Sequence, residues 1–172
     1  MRIIAAMAGE PTDEKSPLAR AMQFFRQAYE HQMRGELDEA VRLYTRSIEA
    51  YPTAEGYTFR GWVYSFQGKI EEAIAECKKA IEVDPTFGNP YNDIGAYLVE
   101  QDRLDEAIPW LEKALVAPRY ESYCFPHVNL GRVYEKKRMF RKALEHYQEA
   151  LEENPKHLGA WQAVARLRAM SN

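Results

Sequence analysis

Residues 35–49 read GELDEAVRLYTRSIE, and three closely similar phrases follow along the chain. They are GKIEEAIAECKKAIE at residues 68–82, DRLDEAIPWLEKALV at residues 102–116 and RMFRKALEHYQEALE at residues 138–152. The alanines at the centre of the four phrases are separated by 33, 34 and 36 residues. A phrase that returns at such a period is typical of a repeat protein, in which each repeat is one supersecondary unit.

Each phrase follows a second segment whose apolar residues return every three or four positions, which is the period of a helix with one buried face. Small residues occupy a fixed place in both segments: Ala28, Gly61, Gly95 and Gly131 in the first, and Ala40, Ala73, Ala107 and Ala143 in the second. A recurring small residue indicates that two helix backbones approach closely there. We therefore predict an all-α fold of antiparallel helix pairs, and Pro52, Pro85 and Pro155 close three of the pairs.

This pattern resembles the tetratricopeptide repeat family, whose helix–turn–helix unit has about 34 residues. The resemblance implies a right-handed α-solenoid. We expect a flexible tail at residues 1–15 and a single domain at residues 16–172, with Ser16 capping the first helix. Within this domain we predict repeats near residues 21–53, 54–87, 88–123 and 124–157, and a capping helix at residues 158–170.

The third repeat departs from the pattern in two places. The segment between Ala117 and Pro126 is two residues longer than its counterparts, and it is either a binding loop or a simple variation in length. Pro109 lies inside the phrase at residues 102–116. We expect it in the first turn of its helix, where the missing N–H has little effect.

In proteins of this family the first helices of successive repeats line a concave groove that binds peptides or helices. The resemblance therefore implies a non-catalytic protein-protein interaction scaffold with a protein or peptide partner. The partner-binding residues that it implies are Phe25, Tyr29, Phe59, Trp62 and Phe66 in an aromatic half, and Asn92, Asn129 and Arg132 in a polar half. The aromatic half would bury apolar side chains of the partner, and the polar half would bond to its backbone or to a carboxylate.

Two alternatives to this groove model stay open. Some of the aromatic side chains could pack between repeats and never meet a partner. The N-terminal segment RIIAAM at residues 2–7 could also occupy the groove itself.

Family members that bind the acidic C-termini of heat-shock chaperones use lysine, asparagine and arginine at fixed positions of their first helices. In this chain those positions hold Phe25, Tyr29, Phe59, Asn89 and Asp93, or, in a register one repeat later, Thr58, Trp62, Asp93, Phe125 and Asn129. Binding of chaperone tails is therefore disfavoured.

The sequence contains no pattern typical of catalysis, so we predict that the protein is not an enzyme and uses no cofactor. It lacks a glycine-rich phosphate loop and a nucleophile elbow. The four histidines lie far apart in the sequence, and no metal site is expected. Cys77 is expected to face the core, and the exposure of Cys124 decides whether its thiol is reactive.

Charge and hydropathy exclude two classes of partner. The net charge is −3 and the mean hydropathy is −0.56, so neither nucleic acid nor a membrane is expected as a partner. Two cysteines are too few for a disulfide framework, which favours a reducing compartment and a cytoplasmic location. The apolar stretch within MRIIAAMAGE is shorter than the export core of a signal peptide, which has roughly 7–15 residues.

Three other functions stay open. An exposed aromatic groove could pair two copies and make a homo-oligomeric assembly scaffold. A ligand-binding or enzymatic role would require convergent polar groups in the groove. The longer third repeat is similar in layout to that of bacterial type IV pilus biogenesis lipoproteins, which implies a pilus-biogenesis-like assembly factor as a further alternative.

Overall fold

A computed structural model describes residues 16–170, which form helices joined by short turns. The helices are α1 (Pro17–Met33), α2 (Leu37–Ala50), α3 (Ala54–Phe66), α4 (Ile70–Val83), α5 (Asn89–Glu100), α6 (Leu104–Leu115), α7 (Cys124–Lys136), α8 (Phe140–Glu153) and α9 (Leu158–Ala169). The predicted all-α fold of helix pairs is confirmed. Residues 1–15, and with them the predicted flexible tail, lie outside the described part of the chain.

The chain divides into two compact units, Met1–Val83 and Asp84–Asn172. The described part of the first unit contains α1 to α4, and that of the second contains α5 to α9. Each predicted repeat encloses one helix pair, although α1 already begins at Pro17, before the first repeat boundary. A single domain over residues 16–172 stays a prediction.

The side chains of Ser16, Thr53 and His157 cap the N-termini of α1, α3 and α9. As predicted, Ser16 Oγ caps α1 and accepts a hydrogen bond from Ala19 N at 3.1 Å, and Pro17 follows as the first helical residue. Thr53 Oγ1 accepts one from Gly56 N at 3.0 Å at the start of α3. Such caps satisfy backbone N–H groups that have no partner inside the helix.

The turn inside each helix pair uses a left-handed backbone conformation at one equivalent position. Gly35 and Gly68 both have φ of 77°, whereas Asp102 has φ of 61° and Arg138 has φ of 59°. Glycine adopts this conformation freely, but a side chain there costs roughly 1 kcal/mol. The second unit therefore builds the same turn at a higher conformational cost than the first.

The two helices of each pair touch at the small residues, as predicted from their spacing. Ala28 and Ala40 are fully buried in the first pair. In the second unit, a Cβ atom added to Gly95 would lie 2.4 Å from Leu111 Cδ2, and one added to Gly131 would lie 2.6 Å from Tyr147 Cε1. Both distances are far below a van der Waals contact, so the pairing requires a residue without a side chain at these positions.

The core of the first unit is aromatic. The rings of Phe25, Tyr44 and Phe59 are buried, and Phe25 meets the other two edge to face at centroid distances of 5.3 Å and 4.9 Å. Cys77 is fully buried in the same unit, which confirms that it faces the core. Such edge-to-face pairs contribute beyond the burial of their area and lock the helices of the first two pairs together.

The longer segment of the third repeat packs inside the second unit. Gly88 N donates to Arg119 O at 3.0 Å and Arg119 N donates to Thr86 O at 2.9 Å, which joins the segment to the entry of α5. Tyr120 is buried, and its ring fills the space that the absent side chain of Gly88 leaves. The additional residues thus complete the core of the third repeat, and a binding role of this loop stays a prediction.

Pro109 is not in the first turn of its helix, contrary to our expectation. It is the sixth residue of α6, which begins at Leu104. A residue with an N–H at this position would donate to the carbonyl of Asp105 four residues earlier, whereas the proline ring crowds that carbonyl. The helix therefore continues through Pro109 because tertiary packing holds it, although local propensity disfavours it.

We expect the exposed Pro109 to be destabilising, so that Pro109→Ala raises the free energy of unfolding by about 1–2 kcal/mol. The variant regains one helix hydrogen bond and loses the ring clash, and part of the gain is offset by a more flexible unfolded chain. Thermal unfolding measures the effect. Ala75, which is exposed at the equivalent position of α4, supplies the matched reverse change, and Ala75→Pro should lower stability. An unchanged or lower melting temperature of Pro109→Ala would contradict a destabilising role of Pro109 in α6.

The last helix covers the fourth repeat. Ala163, Val164 and Leu167 of α9 are buried in one cluster with Ala143, Tyr147 and Ala150 of α8. Ala165 has the place that a small residue takes in the first helices, yet it is exposed. Among the helices within residues 16–170, not one combines the length and the hydropathy that crossing a bilayer requires.

Candidate functional site

The structure separates the predicted aromatic residues into buried and accessible ones. Phe25 is 0% exposed and Phe59 is 3% exposed, whereas Phe66 is 64% exposed. Tyr29 and Trp62 are half-buried. The prediction that Phe25 and Phe59 contact a partner directly is therefore corrected: both rings point between helices, where they contact each other and Tyr44.

Phe59 supports the accessible aromatic side chains from beneath. Its ring lies 4.4 Å from the ring of Trp62 and 6.0 Å from the ring of Tyr29, measured between centroids. Tyr29 belongs to α1 and Trp62 to α3, so a single buried ring positions two half-buried rings on neighbouring first helices. Their orientation is consequently set by the core of the first unit.

One helical turn further along, both helices expose a large apolar side chain. Met33 follows Tyr29 by four residues and is 68% exposed, and Phe66 follows Trp62 at the same spacing. Residues four apart lie on one face of a helix. We call Tyr29, Met33, Trp62 and Phe66 the aromatic stripe.

The predicted polar residues form a chain of hydrogen bonds within the second unit. Asn129 Nδ2 donates to Asn92 Oδ1 at 3.1 Å, and Arg132 donates from its guanidinium to Asn129 Oδ1 at 3.3 Å. Asn129 is buried and Asn92 is half-buried, so these amides mainly position one another. Arg132 is exposed and lines a depression of about 370 Å³ together with Glu135 and Lys136.

Glu135 anchors the rim of this depression. It accepts hydrogen bonds from Arg166 at 2.7 Å and from the Tyr147 hydroxyl at 3.1 Å. Burial, together with the negative charge of Glu135, raises the pKa of Tyr147 well above its usual value. Arg166 is not among the predicted partner-binding residues, and it reaches Glu135 through the packing of α9.

Two histidines that lie far apart in the sequence meet in the structure. The Nδ1 atoms of His127 and His146 are 3.3 Å apart, and Glu149 Oε2 lies 3.0 Å and 2.9 Å from them. The distance between them along the sequence did not indicate this contact, because antiparallel packing of α7 and α8 brings the two rings together. Burial lowers the pKa of His146, although the carboxylate of Glu149 acts in the opposite direction.

The sequence contained a signal for this pair. His127 lies four residues before Gly131, and His146 lies three residues after Ala143. Gly131 packs against Tyr147, which is the residue next to His146, and a small residue at a recurring position indicates a close approach of two helices. The offsets of His127 and His146 from the small residues therefore place the two histidines on facing sides of the pair.

The cysteines are both buried free thiols. Cys124 begins α7 and is 5% exposed, and burial raises the pKa of its thiol. A thiol with a raised pKa is a weak nucleophile because little thiolate is present. The question of its exposure is thus answered in favour of a structural role.

The chain is similar to curated proteins over part of its length. It is 37% identical over 78 residues to the SGT1 homolog of Oryza sativa subsp. japonica, which covers 45% of this chain and 21% of that protein. It is 30% identical over 106 residues to the small glutamine-rich tetratricopeptide repeat-containing protein 2 of Mycosarcoma maydis, which covers 61% of this chain and 30% of that protein. The chain spans less than a third of the length of these relatives.

Among solved structures, the chain is similar to pilF of Pseudomonas aeruginosa. The TM-score is 0.85 with 21% sequence identity, and the match covers 90% of this chain and 70% of that one. At this identity the likeness supports a shared fold. One tetratricopeptide repeat model matches residues 54–87 and 126–157, and a second matches residues 91–117, so the matches together cover more than half of the chain. The chain therefore belongs to the tetratricopeptide repeat family.

Proposed function

We propose that the protein is a non-catalytic interaction scaffold that binds a peptide or a helix of a partner protein on the aromatic stripe of its first unit. The observation that carries this proposal is the exposure of Met33 and Phe66 directly beside the half-buried rings of Tyr29 and Trp62. Membership of the repeat family supports the general role as a scaffold.

The physical basis is the burial of apolar surface on rings that are already held in place. Phe59 orients Tyr29 and Trp62 before any partner arrives, so little side-chain entropy is lost when they bind. Covering an exposed side chain such as Phe66 contributes about 1.5–3 kcal/mol. The preferred partner segment therefore carries apolar or aromatic side chains at helical or extended spacing.

A second, polar contact is proposed on the second unit. The exposed guanidinium of Arg132, held by Asn129 and Asn92, can bond to a carboxylate or a backbone carbonyl of the partner. Asn92 and Asn129 act here as positioning residues. This division of roles differs from the direct contacts that we expected of all three.

The acidic tail of a chaperone fits this site poorly. Two of the positions that would need a cationic or amide side chain hold Phe25 and Phe59, which are buried in the core. The proposed ligand is instead an apolar segment.

The test is selection from a random-peptide display library with the purified full chain. We expect enrichment of peptides with apolar or aromatic residues, and loss of their binding at least about tenfold in the double variant Met33→Ala/Phe66→Ala, because each removed anchor contributes 1 kcal/mol or more. Phe140 is exposed on α8, and Phe140→Ala is the matched control that should retain binding. Equal binding by the double variant, or no enrichment at all, would refute the site.

The N-terminal segment RIIAAM lies outside the described residues, and an alternative form of the proposal is that this segment occupies the stripe. Deleting residues 2–15 should then strengthen peptide binding, and unchanged affinity would refute this alternative.

A cytoplasmic location is part of the proposal, and the two free buried thiols support it. Homo-oligomeric assembly stays an alternative, in which the stripe pairs with a second copy. Light scattering distinguishes partner binding by a monomer from self-assembly, because a monomer at high concentration contradicts self-assembly. A pilus-biogenesis-like assembly role also stays an alternative. The likeness to pilF supports a shared fold and does not by itself support this role.

A further inference from the structure

A cluster of three metal-type ligands bridges the helices of the fourth repeat. His127 projects from α7, whereas His146 and Glu149 project from α8 and are three residues apart. Both rings are largely buried, with 17% and 23% of the side chains exposed, and the carboxylate of Glu149 is 49% exposed. The site is therefore partly shielded by the two helices and open to solvent on the side of Glu149.

The separations between the three ligand atoms suit a single small cation. They are 3.3 Å between the two Nδ1 atoms, and 3.0 Å and 2.9 Å from these atoms to Glu149 Oε2. Ligands at about 2.0–2.1 Å from Zn²⁺ are about 3.3 Å apart in a tetrahedron and about 2.9 Å apart at right angles. Three atoms at the observed distances already define one face of such a coordination shell.

The other repeats place different chemistry at the equivalent positions. Each has an aromatic ring on its first helix and a cation on its second: Phe24 and Arg46, Tyr57 and Lys79, and Tyr91 and Lys113. Arg46 lies over the ring of Phe24 at 4.1 Å, and Lys79 lies over the ring of Tyr57 at 6.0 Å. In the fourth repeat, His127 takes the position of the aromatic ring and Glu149 takes the position of the cation. His146 lies one helical turn before Glu149.

This replacement changes what the position can do. A ring and a cation attract each other without any further group. The two Nδ1 atoms and the Glu149 carboxylate oxygen lie within 3.3 Å of one another, and each can donate a lone pair to one divalent cation placed among them. Tyr134 stacks on His146 with ring planes 3° apart, which fixes the direction of that imidazole.

We infer that His127, His146 and Glu149 form a Zn²⁺-binding site that links α7 to α8. Three protein ligands leave a fourth position for water on the exposed side of Glu149. The bound ion joins the two helices of the fourth repeat. It thereby stabilises the repeat against which α9 packs.

The test uses the full chain after treatment with a chelator. Titration with Co²⁺ should give the visible absorption of a four-coordinate ion, Zn²⁺ should displace it with a stoichiometry of one ion per chain, and Zn²⁺ should raise the melting temperature. His146→Gln and Glu149→Gln should each weaken Zn²⁺ binding at least about tenfold in isothermal titration calorimetry, since loss of a ligand exceeds the effect of losing an outer-shell partner.

His31→Gln is the matched control. His31 pairs with Glu36, and within residues 16–170 this contact does not belong to a group of three ligand atoms close enough to share one ion, so the variant should leave Zn²⁺ affinity unchanged. Circular dichroism of each variant verifies that the helices remain folded. The inference is overturned if the unaltered chain does not bind Zn²⁺, or if His146→Gln and Glu149→Gln bind it as tightly as the unaltered chain.

Discussion

Replacing Gly95 with leucine is expected to lower the free energy of unfolding by about 3 kcal/mol or more. A Cβ atom at this position lies 2.4 Å from Leu111 Cδ2 and 2.5 Å from Leu111 Cγ, and Leu111 is fully buried. The added side chain must displace the buried side chain of Leu111 or separate α5 from α6. For a chain of this size the melting temperature should fall by about 6 °C or more.

Ala165→Leu is the matched control for this prediction. Ala165 takes the same place in α9 that Gly95 takes in α5, yet it is exposed. The control should change the free energy of unfolding by no more than about 0.5 kcal/mol. Equal shifts in the two melting temperatures would contradict the helix contacts described for the third repeat.

Phe25→Ala is expected to lower the free energy of unfolding by about 3–4 kcal/mol, because it opens a cavity in the aromatic core of the first unit. The ring of Phe25 is fully buried and meets both Tyr44 and Phe59. Phe66→Ala should leave stability within about 0.5 kcal/mol of the unaltered chain, since its ring is 64% exposed. Chemical denaturation followed by circular dichroism measures both values.

The same two variants distinguish a residue that stabilises the fold beneath the proposed site from a residue that contacts the partner. Phe66→Ala should weaken peptide binding while the fold is unchanged. Phe25→Ala should weaken binding only as far as it unfolds the first unit, so its residual folded fraction should bind with nearly normal affinity. A Phe66→Ala variant that binds normally, or a Phe25→Ala variant that is fully stable, would reverse the assigned roles.

The period of the repeated phrase was sufficient to predict the helix pairs. A returning alanine or glycine implies a close approach of two backbones whatever the surrounding residues are, and Gly95 and Gly131 lie at such contacts. The capping role of Ser16 was predictable because a cap depends on the few residues at the start of its own helix.

The roles of the aromatic residues depended on tertiary packing. Phe25, Phe59 and Phe66 all lie on the first helices of their repeats, so the sequence does not distinguish them. The packing of neighbouring helices determines that Phe25 and Phe59 are buried and that Phe66 is exposed. Pro109 shows the same dependence on tertiary packing. Its helix propensity predicts a break, yet α6 continues through it.

Sequence alone therefore determined the family, the helix pairs and the positions of closest approach, because these follow from periodicity and residue size. Only the tertiary structure decided which aromatic rings are accessible and that His127 meets His146 and Glu149. Such contacts join residues on different helices, and their distances depend on how helix faces pack in three dimensions. A pattern read along one chain records the face of each helix but not the neighbour that covers it.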